Sequence, residues 1–164
     1  MTPDDLARLH ARAMTVPAPW STKDFRDLLS QPGTFVTPLS ASKYPGGARG
    51  GETPSHGATP LAAQSPAGFA LGRVILDEAE LLTLAVDPSV QRQGIGRACL
   101  AAFEREASAR GALHFHLEVA DTNAPAIALY RSAGWREAGH RKAYYKGDSG
   151  RIDAILMTKH IEPD

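Results

Sequence analysis

The segment VDPSVQRQGIGRACL, residues 86–100, sets Gly94 and Gly96 behind a polar, basic run and in front of an apolar pattern with helical spacing. A loop of this kind suits a phosphate. Glycine lets the backbone approach an anion closely, and successive N–H groups at a helix N-terminus, with the positive end of its dipole, favour a pyrophosphate. Arg92 and Arg97 add charge on either side of the glycines. Three phosphate-loop patterns compete. The nucleotide P-loop, G-x-x-x-x-G-K-[ST], occurs nowhere in the chain. The dinucleotide fingerprint needs Gly or Ala at its third position, where this chain has Cys99, and it lacks the acidic ribose partner after a second parallel strand. The third pattern, Q-x-x-G-x-G, is met by Gln91, Gly94 and Gly96, after an apolar strand and the turn Asp87-Pro88.

Two further side chains could move protons. In HFHLEV, a period of two puts His114, His116 and Glu118 on one face of a strand and Phe115, Leu117 and Val119 on the other. Glu118 is then a carboxylate in an otherwise apolar or His strand, a general base if half-buried and a solvated sheet-face residue if not. His116, on the same face, is an alternative base, and His114 reads as structural. Tyr130 carries a phenol on an apolar helix stripe, where it is either a core tyrosine or a proton donor.

These groups need a scaffold. PDDLARLHARAM spaces Leu6, Leu9, Ala13 and Met14 on one helical face. In PWSTKDFRDLLSQPG, Ser21 and Asp24 suit an N-cap with an acidic third position, and Pro32-Gly33 stops the helix. GTFVT reads as a strand, and AGFALGRVIL and AELLTLAV as a hairpin broken at Asp77-Glu78. Ile95, Ala98, Cys99, Ala102, Phe103 and Ala107 fall at helical spacing, with Gly111 at the C-cap. After HFHLEV a helix starts near Asn123, with Pro125 in its first turn, and ends at Gly134. The chain closes as two strands around KGDSG. Helices followed by strands interleaved with helices give a mixed α+β sheet protein.

At 164 residues the chain suits one domain, 1–164, and one active site. Lys plus Arg, 18, equals Asp plus Glu, 18, so no overall basic field draws nucleic acid or anionic membrane. No window approaches the roughly 18 apolar residues of a membrane span. The start, MTPDDLARLH, has no signal-peptide pattern, so a soluble cytoplasmic protein is expected. The single cysteine, Cys99, reads as a small core residue and excludes an internal disulfide or multi-cysteine zinc site. Residues 37–66 hold Gly or Pro at ten of thirty positions and read as a flexible exposed insertion between two strands.

The glycine loop resembles the acetyl-CoA-binding motif of the Gcn5-related N-acetyltransferase (GNAT) superfamily. LTLAVDPSVQRQGIGR, LEVADTNAPAIALYRSAGW and HRKAYYKGDSGRIDAILM, in that order and spacing, resemble the bacterial ribosomal-protein-alanine N-acetyltransferases of the RimI type. The similarity runs from about residue 67 to 161, and PWSTKDF near the start also fits. It implies the GNAT fold, a twisted and mostly antiparallel central sheet flanked by helices. It also implies acetyl-CoA as co-substrate, no metal, and a protein N-terminus, the alanine of a small-subunit ribosomal protein, as acceptor.

By the same resemblance, Leu84, Ala85 and Val86 match the strand that pairs with the pantetheine arm, Val86 facing the thioester oxygen. Arg92, Gln93, Gly94, Ile95, Gly96 and Arg97 match the pyrophosphate loop. Asn123 matches a cofactor contact, Glu118 the general base and Tyr130 the general acid. Ala143 stands where the family usually has Asn, Lys146 replaces a proline and Ile152 an acidic residue, all on the peptide side. Direct acetyl transfer asks these residues to neutralise an amine, hold the thioester, stabilise the oxyanion through strand N–H groups and protonate the leaving thiolate. Two other functions fit the resemblance, a relative acetylating a small-molecule or lysine amine and a non-catalytic acyl-CoA-binding module. Retention of Glu118 and Tyr130 argues against the second. Tyr144 and Tyr145 line the acceptor cleft or pack the hairpin.

Overall fold

The computed structural model describes residues 1–40 and 66–163. Two capped helices open the chain. In α1 (Pro3–Ala13) Thr2 is the N-cap and Asp5 completes a capping box, an arrangement repeated in α2 (Thr22–Leu29) by Ser21 and Asp24. Then come β1 (Thr34–Ser40), β2 (Pro66–Ile75), β3 (Glu78–Val86), α3 (Ile95–Ala109), β4 (His114–Ala120), α4 (Ala124–Ser132), β5 (Arg136–Gly147) and β6 (Gly150–His160). The six strands form one sheet in the order β1-β2-β3-β4-β6-β5. Every pairing is antiparallel except β3 with β4, so the expected mixed, mostly antiparallel sheet is present.

Both ends of the segment read at 37–66 as an insertion lie in strands, residues 37–40 in β1 and Pro66 in β2. Residues 37–40 continue β1 and pair across to β2, where Ser40 lies opposite Pro66. The other residues of that segment lie outside the described ones. Among the described residues no helix is long and apolar enough to cross a membrane.

Helices cover both faces of the sheet. α1 and α2 close one face through Leu6, Leu9 and Phe25, packed on Phe69, Leu71 and Ala85. On the other face, Ile95, Leu100 and Phe103 of α3 and Ile127 and Tyr130 of α4 pack over Phe115, Leu117, Ile155 and Met157. Cys99 lies in this second core, and burial pushes its thiol up to about 12, in keeping with the small core residue expected. Gly72 is required by close approach, since a Cβ there would stand 2.3 Å from Cε2 of Phe103.

The register of β3 is the feature that makes a site possible. Leu71 pairs with Thr83 but Gly72 with Leu81, which leaves Leu82 as an extra residue, a β-bulge. As a result two consecutive residues turn to the α1 face: Leu82 packs in its core and Thr83 bonds to α1. The parallel ladder with β4 runs only from Glu78–His114 to Leu81–Leu117. Beyond the bulge β3 and β4 separate, although β3 continues to Val86 and β4 to Ala120.

Candidate active site

The separation of β3 from β4 opens a cleft of about 730 Å³. Residues 81–86 form one wall and residues 117–120 the other. The cleft is also lined by Gln91, Arg92 and Gly96 around the start of α3, by Asn123, Leu129 and Tyr130 at and in α4, and by residues 13–17 with Trp20 and Tyr145.

Backbone direction in β3 follows from one bond. The Asp87 N–H donates to the Ala67 carbonyl, back towards β2. Alternation along a strand then turns the N–H and C=O groups of Val86 and Leu84 to the other edge, where β4 has already parted. The Val86 carbonyl accepts from Nε2 of Gln91 at 3.2 Å, which leaves its N–H facing the cleft. Ala85 has its backbone groups turned to β2 and its side chain buried against α1, so it acts through packing.

The glycine loop meets α3 as its spacing suggests. A 3-10 turn, Pro88–Val90, is capped by Asp87, whose carboxylate also pairs with Arg12 of α1. Gly94 is the N-cap at φ +79, a left-handed conformation that glycine adopts freely, and it carries no capping side chain. The first intrahelical bond is Ala98 N–H to the Gly94 carbonyl, so the N–H groups of Ile95, Gly96 and Arg97 precede any helical partner. Three donors and a helix dipole therefore face outward together, a fit for an anionic ligand.

The individual side chains of the loop divide. Arg92 and Gly96 line the cleft, whereas Gln93 is exposed outside it and Ile95 is 2% exposed in the core, where only its N–H can serve a ligand. Arg97 is turned to α4, its Nη2 donating to the Ser132 hydroxyl at 2.6 Å. Asn123 is the α4 N-cap, Oδ1 accepting from the Ala126 N–H at 3.3 Å, and its amide nitrogen stays available to the cleft.

Glu118 reaches the cleft from β4, its side chain 22% exposed, and Oε1 lies 3.1 Å from Nη2 of Arg141. The Arg141 guanidinium also sits 5.1 Å from the centroid of the Tyr144 ring. A hydrogen bond to Glu118 is the leading cause that raises the Tyr144 phenol above its ordinary range, followed by the Glu118 charge. Tyr145 is pushed up to about 12, by burial first and then by Glu118. These residues reach Glu118 because β5 bulges between Arg141 and Tyr145. At the bulge Ala143 has φ +54 and its N–H donates to Oδ1 of Asp153 at 2.7 Å. An Asn would tolerate that left-handed position better than Ala does.

Tyr130 is 7% exposed and faces the cleft from α4. Burial first, and the neighbouring Tyr145 second, raise its phenol well above 10, so it holds its proton throughout the neutral range. Glu118 and Tyr130 thus share one cleft. His116 does not line it and lies instead in a shallow depression with Glu78, His114 and His160, and the His114 ring stacks on His160. Among the described residues no group of three or more His, Cys, Asp or Glu is arranged to hold a metal ion.

Sequence reasoning missed His10. It is fully buried in α1, yet Nδ1 accepts from the Trp20 N–H and Nε2 lies against the Thr83 hydroxyl, both at 3.1 Å. Arg141 was also missed, because nothing in HRKAYY says which cation folds onto a carboxylate.

A sequence model of the acetyltransferase (GNAT) family matches residues 7–135. The [ribosomal protein bS18]-alanine N-acetyltransferase of Escherichia coli strain K12 is 52% identical over 95 residues, 58% of this chain and 64% of that enzyme. N-alpha-acetyltransferase RimI of Mycobacterium tuberculosis strain H37Rv is 42% identical over 89 residues, 54% of this chain and 53% of that protein. The chain therefore aligns with less than two thirds of the length of these curated relatives. The crystal structure of the ribosomal-protein-S18-alanine N-acetyltransferase from Escherichia coli superposes with a TM-score of 0.77 at 35% identity, covering 99% of this chain and 89% of that one. Arabidopsis thaliana NAA60 in complex with acetyl-CoA shares the fold, with a TM-score of 0.74 at 18% identity over 98% of this chain and 96% of that one.

Proposed function

The chain belongs to the acetyltransferase (GNAT) family, and from that premise we propose that it transfers an acetyl group from acetyl-CoA to the N-terminal α-amine of a protein, the acceptor being the N-terminal alanine of a small-subunit ribosomal protein. One observation carries the reading. Where β3 parts from β4, the same cleft holds the free Val86 N–H, the Glu118 carboxylate and the Tyr130 phenol. The identity to bS18-alanine N-acetyltransferases supports the choice of acceptor.

In this reading the N–H groups of Ile95, Gly96 and Arg97 hold the pyrophosphate of acetyl-CoA, with Gly94 shaping the turn and Arg92 and Gln93 beside it. The open edge of β3 at Leu84 and Val86 pairs with the pantetheine amides, Ala85 spaces them, and the free amide of Asn123 meets the same arm. The acceptor enters along the part of the cleft lined by residues 13–17, Trp20 and Tyr145. An α-amine with a pKa of roughly 7.7 to 8.0 is mostly protonated at neutral pH. Glu118 takes that proton, directly or through water, and the neutral nitrogen attacks the thioester carbonyl. The Val86 N–H donates to the oxygen as it becomes an oxyanion. Once its bond to carbon forms the nitrogen is cationic, and it loses its second proton to solvent by way of Glu118, which has already passed the first one on. As the tetrahedral species then collapses, the C–S bond breaks and Tyr130 gives its proton to the sulfur. The phenol is restored from solvent, and the products are the acetylated N-terminus and free CoA.

The test is thiol release from acetyl-CoA with a short peptide beginning with alanine, run beside the same peptide blocked at its N-terminus. Release only with the free terminus is the expected result. Release with lysine or small amines but not with the peptide would assign another acceptor. Acetyl-CoA binding with no turnover on any amine, or on the folded ribosomal protein, would leave an acyl-CoA-binding module.

A further inference from the structure

We propose that His10 is a positioning residue that ties the acceptor-side wall of the cleft to the bulged strand on its cofactor side, a role that rests on the proposed acetyl transfer. His10 occupies an apolar-stripe position of α1 and is fully buried. Its ring stacks on Trp20 with centroids 5.1 Å apart and meets the edge of Phe25 at 5.4 Å. A Phe or Leu would fill such a site with no polar group to satisfy. The imidazole instead bonds through both nitrogens to two different elements, 10 and 73 residues away in the chain.

The tautomer follows from the partners. The partner at Nδ1 is the Trp20 backbone N–H, which can only donate, so Nδ1 must accept and the ring proton sits on Nε2, where it is donated to Oγ1 of Thr83. Trp20 lies near the end of the connection from α1 to α2, which lines the cleft through residues 14–17 and Trp20 and to which the proposed function assigns the acceptor. Thr83 is the second of the two consecutive residues that the bulge turns to the α1 face, at the point where β3 leaves β4. One rigid ring therefore sets the distance between the wall an acceptor must pass and the strand whose open edge meets the pantetheine. Burial holds the imidazole at about 4, so neutral pH does not switch it.

The two bonds can be removed separately. In His10→Asn the amide oxygen stands in for Nδ1 and keeps Trp20, with nothing reaching Thr83. In His10→Gln the amide nitrogen stands in for Nε2 and keeps Thr83, with nothing accepting from Trp20. Steady-state kinetics with the alanine peptide should show an acceptor KM near wild type in His10→Asn and raised about tenfold in His10→Gln, the scale of a small misplacement in a binding wall. Thr83→Val should raise the acetyl-CoA KM as His10→Asn does, and the double variant no further. Amide hydrogen exchange gives a readout that needs no turnover. The Trp20 N–H should exchange about tenfold faster in His10→Gln than in His10→Asn, as for a lost hydrogen bond. Equal acceptor KM values, or equal Trp20 exchange, in the two His10 variants would overturn the proposal. Wild-type protein inert on the peptide but showing the exchange difference would instead count against the proposed reaction.

Discussion

Gly96→Ala separates the stability of the glycine loop from the pyrophosphate binding proposed for it. Gly96 is the second residue of α3, and a Cβ there would lie 3.4 Å from Cδ2 of Leu129 and 3.7 Å from Cγ2 of Val86, ordinary contacts. Within the protein the methyl therefore fits, and replacing a helical glycine adds up to ~1 kcal/mol of stability. A bound phosphate meets a different constraint. A charge-assisted N–H···O contact holds the oxygen at about 2.8 Å, whereas a carbon in van der Waals contact needs about 3.5 Å or more. A methyl on the helix end would lift the pyrophosphate away and cost one such bond, about 1.5–3 kcal/mol, or between about tenfold and a hundredfold in affinity. Urea unfolding of the free protein should give an unchanged or higher midpoint, and calorimetry should give weaker acetyl-CoA binding. Affinity within twofold of wild type would refute the placement of the pyrophosphate at this helix end. Gly94→Val is the control with the other signature. Among the described residues nothing lies within 4 Å of a Cβ added there, but φ is +79, so the variant should lose about 1–2 kcal/mol of stability through backbone strain in addition to affinity.

Three further outcomes follow from the geometry. Tyr130→Phe keeps the ring in its packing and should slow turnover by roughly 10² or more with acetyl-CoA affinity intact; unchanged turnover removes the phenol from the mechanism. His10 has its folded-state pKa lowered from 6.5 to about 4, so the unfolded chain binds a proton in that window while the folded one does not. Stability contributed there is complete above 6.5 and falls with decreasing pH, by about 3 kcal/mol at 1.36 kcal/mol per pH unit. Urea midpoints of wild type and His10→Asn should therefore converge from pH 7 to pH 4, and parallel profiles would contradict the buried neutral ring. Ala143→Gly should raise the unfolding free energy by about 0.5–1 kcal/mol, the relief of a left-handed Ala less the added backbone entropy of Gly, and no gain would argue against that conformation.

Much of the scaffold was legible because it is local. Ser21 with Asp24, Pro125 with Asn123 and the left-handed glycines at 94, 111 and 134 act within a few residues of their own position, and each stands where the spacing puts it. The alternation of HFHLEV likewise separates buried Phe115, Leu117 and Val119 from Glu118. Composition misled at residues 37–40, since a proline-containing run was still able to pair as an outer strand, where a missing N–H costs no ladder bond. The doublet Leu81-Leu82 looked like an ordinary apolar run, although it is the place where the bulge interrupts the alternation.

By itself the sequence determined the order and type of the elements, the glycine turn that opens α3, and a carboxylate and a phenol on the strand and helix that follow it. These depend on periodicity, caps and turn residues, which are properties of neighbours in the chain. Only the tertiary structure decided that β3 and β4 part after four paired positions, that Arg141 and Tyr144 close on Glu118, and that His10 joins Trp20 to Thr83. Each of these is a meeting of groups from different elements. Their energies depend on burial and direction, and a chain acquires both only when its sheet and helices have packed.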